Sequence, residues 1–291
     1  FFSFILILSF SENLLGKQIN DECSWKNKNS IPCLIINKSS PNSNHLSTEI
    51  SPSIIITKKE IERYNLIDLN KVMNFANGSS VIQSGPTGQQ ASVFMRGTNS
   101  NHVLVLLNGM PINDQSTTNG AFDFGQDFMT NVTLVEIYKS SSGAHFGADS
   151  IGGAVNLITT VDYKNKLSTY SRKNYRNIEG NYTKNINDWQ INFQGGLHKS
   201  KTESALKEGT DKDGAKNKSL GINVAKWFTD KIKFRTNVFF RNTFADLDGH
   251  SLPLQAGYDS DNKMHALQFG LDQKTKNVKN YVTLHTHSYN R

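Results

Sequence analysis

The chain has 291 residues, 36% hydrophobic and 20% charged, with a formal net charge of +7, which suits one large or two ordinary domains. Mean hydropathy is negative and no apolar run is long enough to cross a bilayer as a helix, so a helical membrane protein is excluded. The charge is divided unevenly: residues 1–162 carry 10 Lys/Arg against 13 Asp/Glu, and residues 163–291 carry 22 against 12.

In chain order, Phe1 to Phe10 fits the apolar core of a secretory signal peptide, with cleavage between Gly16 and Asn20, and residues 1–20 are assigned to export. A buried strand is the alternative. No initiating Met or basic leader precedes Phe1, so the reading frame is expected to begin further upstream. Residues 21–52 are a polar tail punctuated by Pro32, Pro41 and Pro52, with one apolar island at Leu34, Ile35 and Ile36. Cys23 and Cys33 lie in this tail without a cluster of metal ligands beside them, as a small disulfide loop or as two free thiols.

Residues 53–162 read as a folded α+β unit. A β-branched strand, Ser53 to Thr57, leads into a capping box in which Thr57 precedes Glu60 by three. Helical spacing continues through Ile61, Tyr64, Leu66 and Ile67, breaks near Asn65, and restarts at Asp68 ahead of Leu69, Val72 and Met73. A strand at Val81 and Ile82 runs into Ser84, Gly85, Pro86, Thr87, Gly88 and Gln89, where the ladder must stop and the chain turn. Three apolar runs, Val103 to Leu107, Val132 to Tyr138 and Ala154 to Ile158, are predicted as buried strands. Between the first two lies a second loop, Pro111 to Gly120, containing Asn113, Asp114 and Gln115.

After Thr160 the texture changes to alternation. Tyr175 to Tyr182, Trp189 to Leu197, Leu220 to Phe228, Ile232 to Phe240, Leu267 to Leu271 and Tyr281 to His285 place apolar and polar residues on opposite faces, the period of transmembrane β-strands. Short turns alternate with long loops at 199–218 and 245–262, and Trp189, Trp227, Phe228 and Tyr281 are expected in aromatic girdles. Asp211 and Asp213 in one long loop, with Asp246 and Asp248 in the other, offer the clustered oxygens that a hard cation such as Ca²⁺ prefers, or form a solvated acidic turn. The nucleophile elbow, zinc-protease helix and phosphate-binding loop are missing, and His285 and His287 share a strand face without a third ligand. We therefore expect no enzyme activity and no required cofactor. The basic residues alternate along strands instead of clustering with aromatics, which argues against a nucleic-acid partner.

The run Phe94-Met95-Arg96-Gly97-Thr98-Asn99, then His102 to Gly109, Val135-Glu136, and Phe146 to Asn156 resembles in order and spacing the plug domain of TonB-dependent outer-membrane receptors, and within that family the vitamin B12 (cobalamin) receptors. Asn108 departs from the family's usual Asp, and Lys139 to Gly143 from its Arg-Gly-Pro segment. The resemblance implies a plug at 53–162 followed, from 163, by the first strands of a transmembrane antiparallel barrel in the outer membrane of a Gram-negative bacterium. A receptor barrel has on the order of 22 strands, so about six is a truncated wall and the chain an amino-terminal fragment. The implied activity is active import of a large, scarce ligand, cobalamin or alternatively a ferric siderophore; a soluble periplasmic binding module is the remote alternative. TonB and its inner-membrane complex would engage the tail at Leu34, Ile35 and Ile36 by β-augmentation. Loops 84–89 and 113–115 would touch the ligand. Arg96, placed inside a lumen, would need a carboxylate, with Glu136 the candidate. The loop carboxylates would hold structural Ca²⁺, and the basic half would suit lipopolysaccharide.

Overall fold

The computed structural model describes residues 5–7, 54–127, 129–139, 146–159, 165–201, 213–247, 258–275 and 279–291. Leu34, Ile35, Ile36, Cys23, Cys33, Asp211 and Asp248 lie outside the described residues. At the amino end β1 (Ile5–Ile7) is a three-residue strand.

Strand β2 (Ile54–Thr57) passes directly into helix α1 (Lys58–Arg63) through the expected capping box: the Glu60 amide donates to Thr57 Oγ1, and the Thr57 amide donates to Glu60 Oε2 at 2.8 Å. Asn65 takes a left-handed φ of 53° and ends that helix. Helix α2 (Leu69–Phe75) then starts at Asp68, whose Oδ1 accepts from the Lys71 amide at 2.8 Å. A hairpin follows, β3 (Ser79–Gln83) against β4 (Ala91–Met95), with the first predicted loop between its strands.

The remaining plug strands are β5 (Val103–Leu107), β6 (Met110–Pro111), β7 (Leu134–Tyr138) and β8 (Gly153–Ile158). With β2 they form a five-stranded sheet in the order β2-β7-β8-β5-β6, in which β5 and β8 run parallel and every other pair antiparallel. Strands β5, β7 and β8 are buried at every position, so they read as near-continuous apolar runs, interrupted by Glu136 in β7 and Asn156 in β8. The departure at Asn108 has a local cause. Asn108 and Gly109 are the two residues between paired Leu107 and Met110, with φ of 50° and 81°, and Asn-Gly is the pair that a two-residue primed hairpin turn favours. The Asn108 side chain also spans to β8's end: Nδ2 donates to Thr159 Oγ1 and Oδ1 accepts from the Thr159 amide, both at 2.9 Å.

The second unit is an antiparallel sheet of β9 (Lys166–Arg172), β10 (Tyr175–Ile186), β11 (Trp189–Lys201), β12 (Gly214–Thr229), β13 (Ile232–Leu247), β14 (Tyr258–Lys274) and β15 (Lys279–Asn290), each paired with the next. β15 pairs on its other side with β1. The strands outrun the predicted segments at their long-loop ends, with β11 reaching Lys201, β12 starting at Gly214, β13 reaching Leu247 and β14 starting at Tyr258. The reason is that backbone pairing continues through polar stretches such as Lys216-Asn217-Lys218, which carry no apolar signal. Polar β9 escaped the alternation reading for the same reason.

Inward residues of β13 to β15 complete the plug's core: Met264 and Ala266 are buried within it, and Phe239 and Tyr289 pack against it. Trp189 and Phe228 face outward, with Lys226 Nζ 4.8 Å from each ring centre. Trp227 and Tyr281 do not join that girdle. Trp227 lies opposite Lys233, and both Lys233 and Tyr281 lie opposite Asp272. The Asp272 carboxylate pairs with the buried Arg235, which marks this row as the plug-facing side. Consecutive strand residues point to opposite faces, so Trp227 and Phe228 could not both face outward.

Candidate functional site at the plug apex

Both predicted loops lie at the end of the barrel wall that carries the long loops. The first is closed on itself, with the Ser84 amide and hydroxyl donating to Gln90 O at 2.9 and 3.1 Å and Gln83 Nε2 donating to Pro86 O at 2.8 Å. Its far side is pressed on the wall. Gly88 has a φ of 99°, and a Cβ there would come within 2.5 Å of Ala215 Cβ, so only glycine fits this contact. Gln89 is buried beside it, and its Nε2 donates to Asp246 O at 3.3 Å and Asp213 Oδ2 at 3.4 Å. Ser84 is exposed and Gly85, Pro86 and Thr87 are partly so, whereas Gly88 and Gln89 face the wall.

The second loop divides similarly. Asn113 is buried, its Oδ1 accepting from the Val105 amide at 2.7 Å and its Nδ2 donating to Val103 O at 3.2 Å. Asp114 Oδ1 accepts from the Ser116 amide and hydroxyl at 2.8 and 2.6 Å, while Oδ2 pairs with Arg291 at 2.6 Å. The expectation that Asn113 and Asp114 present their side chains to a ligand is corrected: both are consumed in shaping and anchoring the loop. Gln115 is exposed, as are Thr118, Asn119 and, on the first hairpin, Ile82 and Gln90. These side chains form an amide- and hydroxyl-rich surface with one apolar point.

The expected Arg96–Glu136 pair is not formed. Arg96 has a φ of 54°, is exposed, and donates from Nη1 to Lys139 O at 2.8 Å. Glu136 is buried within the plug sheet and accepts from Tyr138 Oη and Asn156 Nδ2, each at 3.0 Å. Burial pushes its carboxyl upward, against the opposing pull of those two bonds. A guanidinium displaced into left-handed backbone at a strand end cannot reach a carboxylate in the sheet's centre.

Charged contacts between plug and wall come instead from residues the sequence did not single out. Buried Asp127 pairs with buried Arg241 of β13, Lys58 with Glu179 at 2.7 Å, and Glu62 with Lys166 at 2.7 Å. On β15, His287 Nε2 lies 3.2 Å from Asn113 O, and Tyr289 Oη donates to Ile112 O at 2.5 Å. The legible signal was weak: inward residues on alternating strands could have been flagged wherever they were charged or aromatic. Gln89 bridges the Asp213 carboxylate and the Asp246 backbone carbonyl, which does not unite the two carboxylates, and no group of three metal-ligating side chains exists among the described residues.

Residues 46–154 match the family described as TonB-dependent Receptor Plug Domain. Solved structures share the wider fold. The siderophore receptor PirA from Acinetobacter baumannii aligns with a TM-score of 0.65 at 15% identity, over 84% of this chain and 41% of its own. A mutant ferric enterobactin receptor, PfeA from Pseudomonas aeruginosa, in complex with enterobactin gives 0.64 at 15% identity, over 81% and 40%. The ferric-catecholate import receptor Fiu from Escherichia coli gives 0.59 at 12% identity, over 81% and 38%. The fold is thus a TonB-dependent receptor plug followed by part of an antiparallel β-barrel, and the chain spans about two-fifths of the length of those structures.

Proposed function

We propose that the chain is part of a TonB-dependent outer-membrane receptor that imports a large, scarce ligand, with a ferric siderophore as the first reading. The observation that carries the proposal is a plug packed on one face of an antiparallel sheet whose other face carries an exposed apolar band; in a full barrel such a plug would block the lumen, and a ligand bound at the apex would be admitted by moving it. The ligand class rests on the solved receptors of this fold, which are named for siderophores, enterobactin and catecholates. Cobalamin is the second reading, favoured by the Arg96 to Leu107 run that resembles its receptors.

In this mechanism the chain's own residues divide the work. Ser84, Thr87, Gln90 and Gln115 at the apex offer hydrogen bonds to the ligand, and Gln89, Asn113 and Asp114 hold the two loops in place. TonB would engage the tail at Leu34, Ile35 and Ile36 as an added strand and supply the force. Calcium at Asp211, Asp213 and Asp246 is an accessory proposal, tested by chelation. Calorimetric titration of the full receptor with ferric enterobactin and with cyanocobalamin tests the ligand; binding of neither overturns both readings. Deletion of residues 30–40 in the full receptor is expected to abolish uptake and to spare ligand binding, and unchanged uptake would remove the tail from the mechanism.

A further inference from the structure

The outer face of the wall carries an arrangement that neither the plug nor ligand import uses. Residues directly opposite on neighbouring strands share a face and lie about 5 Å apart. Near the long-loop end one outward row reads Arg176, Lys199, Lys216 across β10, β11 and β12, and the next reads Ile178, Leu197, Lys218, Asn242, Lys263. Three cations directly opposed in one row repel, a destabilising placement in a sheet. Lys263 is matched by Asp261 at 2.7 Å. Among the described residues none of Arg176, Lys199, Lys216 and Lys218 has a carboxylate partner, and all four are exposed.

Immediately below, toward the short turns, the next outward row is Gly180, Gly195, Leu220, Phe240. The two glycines leave a gap in an otherwise bulky apolar band. Two open depressions of about 560 and 530 Å³ meet there: Gly195 and Leu220 line both, the first running on to Leu197, Lys218 and Phe240 and the second to Tyr182 and Phe193. A cationic shelf thus stands over an apolar furrow.

We propose that this shelf and furrow bind a phosphorylated, multi-acylated glycolipid of the lipid A type. Its phosphates would sit among Arg176, Lys199, Lys216 and Lys218, relieving the row of like charges, and an acyl chain would lie in the furrow over Gly180 and Gly195. Four cations without a carboxylate partner, of which among the described residues only Lys216 has another contact, over the Phe244 ring at 5.0 Å, exceed what one zwitterionic headgroup would match, which selects a ligand with more than one phosphate. The proposal rests on the outer-membrane reading above, because it puts the long-loop end at the outer leaflet.

The test is native mass spectrometry of the full receptor in detergent, with bisphosphorylated lipid A as the probe and phosphatidylglycerol and phosphatidylethanolamine as comparisons. Wild type is expected to retain lipid A at least about tenfold better than either phospholipid, and the triple variant Lys199→Gln, Lys216→Gln, Lys218→Gln to lose that advantage. Gly195→Leu, which fills the furrow without changing charge, should weaken retention in the same direction. Lys184→Gln and Lys226→Gln, outward at the opposite end, should leave it unchanged. Equal retention of phosphatidylglycerol, full retention by the triple variant, or an equal loss with Lys184→Gln overturns the site. Heat-modifiable gel mobility checks that each variant is folded. A wild-type receptor that fractionates away from the outer membrane sinks the import reading; one that resides there without retaining lipid A sinks only the lipid site.

Discussion

The plug and the wall bury their apolar side chains by different rules. In β5, β7 and β8 every residue is buried, because both faces of the plug sheet are covered, one by the large core and the other by the Leu104, Leu106, Tyr138 and Ala154 cluster. In β11 burial alternates from Asn192 to Lys201, because one face meets the plug and the other faces out. The same β-branched and aromatic residues therefore act as core in one region and as exterior in the other. The two regions also merge, since the wall's Met264 and Ala266 belong to the plug's core.

Substitutions in the full receptor, read by thermal or urea unfolding, sharpen that contrast. Val105→Asp buries an uncompensated charge in β5 and is expected to cost more than about 4 kcal/mol, enough to leave the plug unfolded. Asp127→Ala strands the buried Arg241 charge where plug meets wall and is expected to cost about 3–5 kcal/mol, while joint replacement of the pair by apolar residues should cost far less. A double substitution no milder than the single one would show that the pair's geometry, not the orphaned charge, sets the effect.

Smaller effects lie within the plug. Asn108→Ala loses the left-handed turn residue and its bonds to Thr159, for about 1–3 kcal/mol; Asn108→Asp keeps the acceptor for the Thr159 amide and should fall below that. Thr57→Ala removes the α1 cap for about 1 kcal/mol. Glu136 has a folded pKa raised by burial, so its protonated form is the one the fold prefers. Its contribution is present at acid pH and declines as pH rises through the raised value. Glu136→Gln should therefore match wild type at low pH and be equal or more stable at pH 8; a variant that loses stability on the alkaline side would mean that the ionised carboxylate is the form the fold needs.

Much of this was legible from the residues. The apolar runs located β5, β7 and β8, Thr57 and Asp68 marked both helix starts, and the loop at 84–89 fell where the glycines and proline placed it. What escaped depends on partners distant in sequence. Nothing local to Asn113 or Asp114 says that their side chains turn inward to Val105 and Arg291, and nothing near Arg96 says that left-handed backbone carries it away from Glu136. The strand ends beyond Leu220 were invisible because hydrogen bonding, not hydrophobicity, prolongs them.

The sharing of core between plug and β13–β15 has a mechanical corollary. A stopper glued along one flank resists being drawn out as a rigid body, since sliding would strip Phe239 and Tyr289 of their packing all at once. Traction applied to the tail at 21–52 instead reaches β2 first among the plug strands, an edge strand held in its sheet by β7 alone, and would peel it from there one rung at a time. Under such a load the plug would yield like a seam, opening first along the edge that the tail leads into.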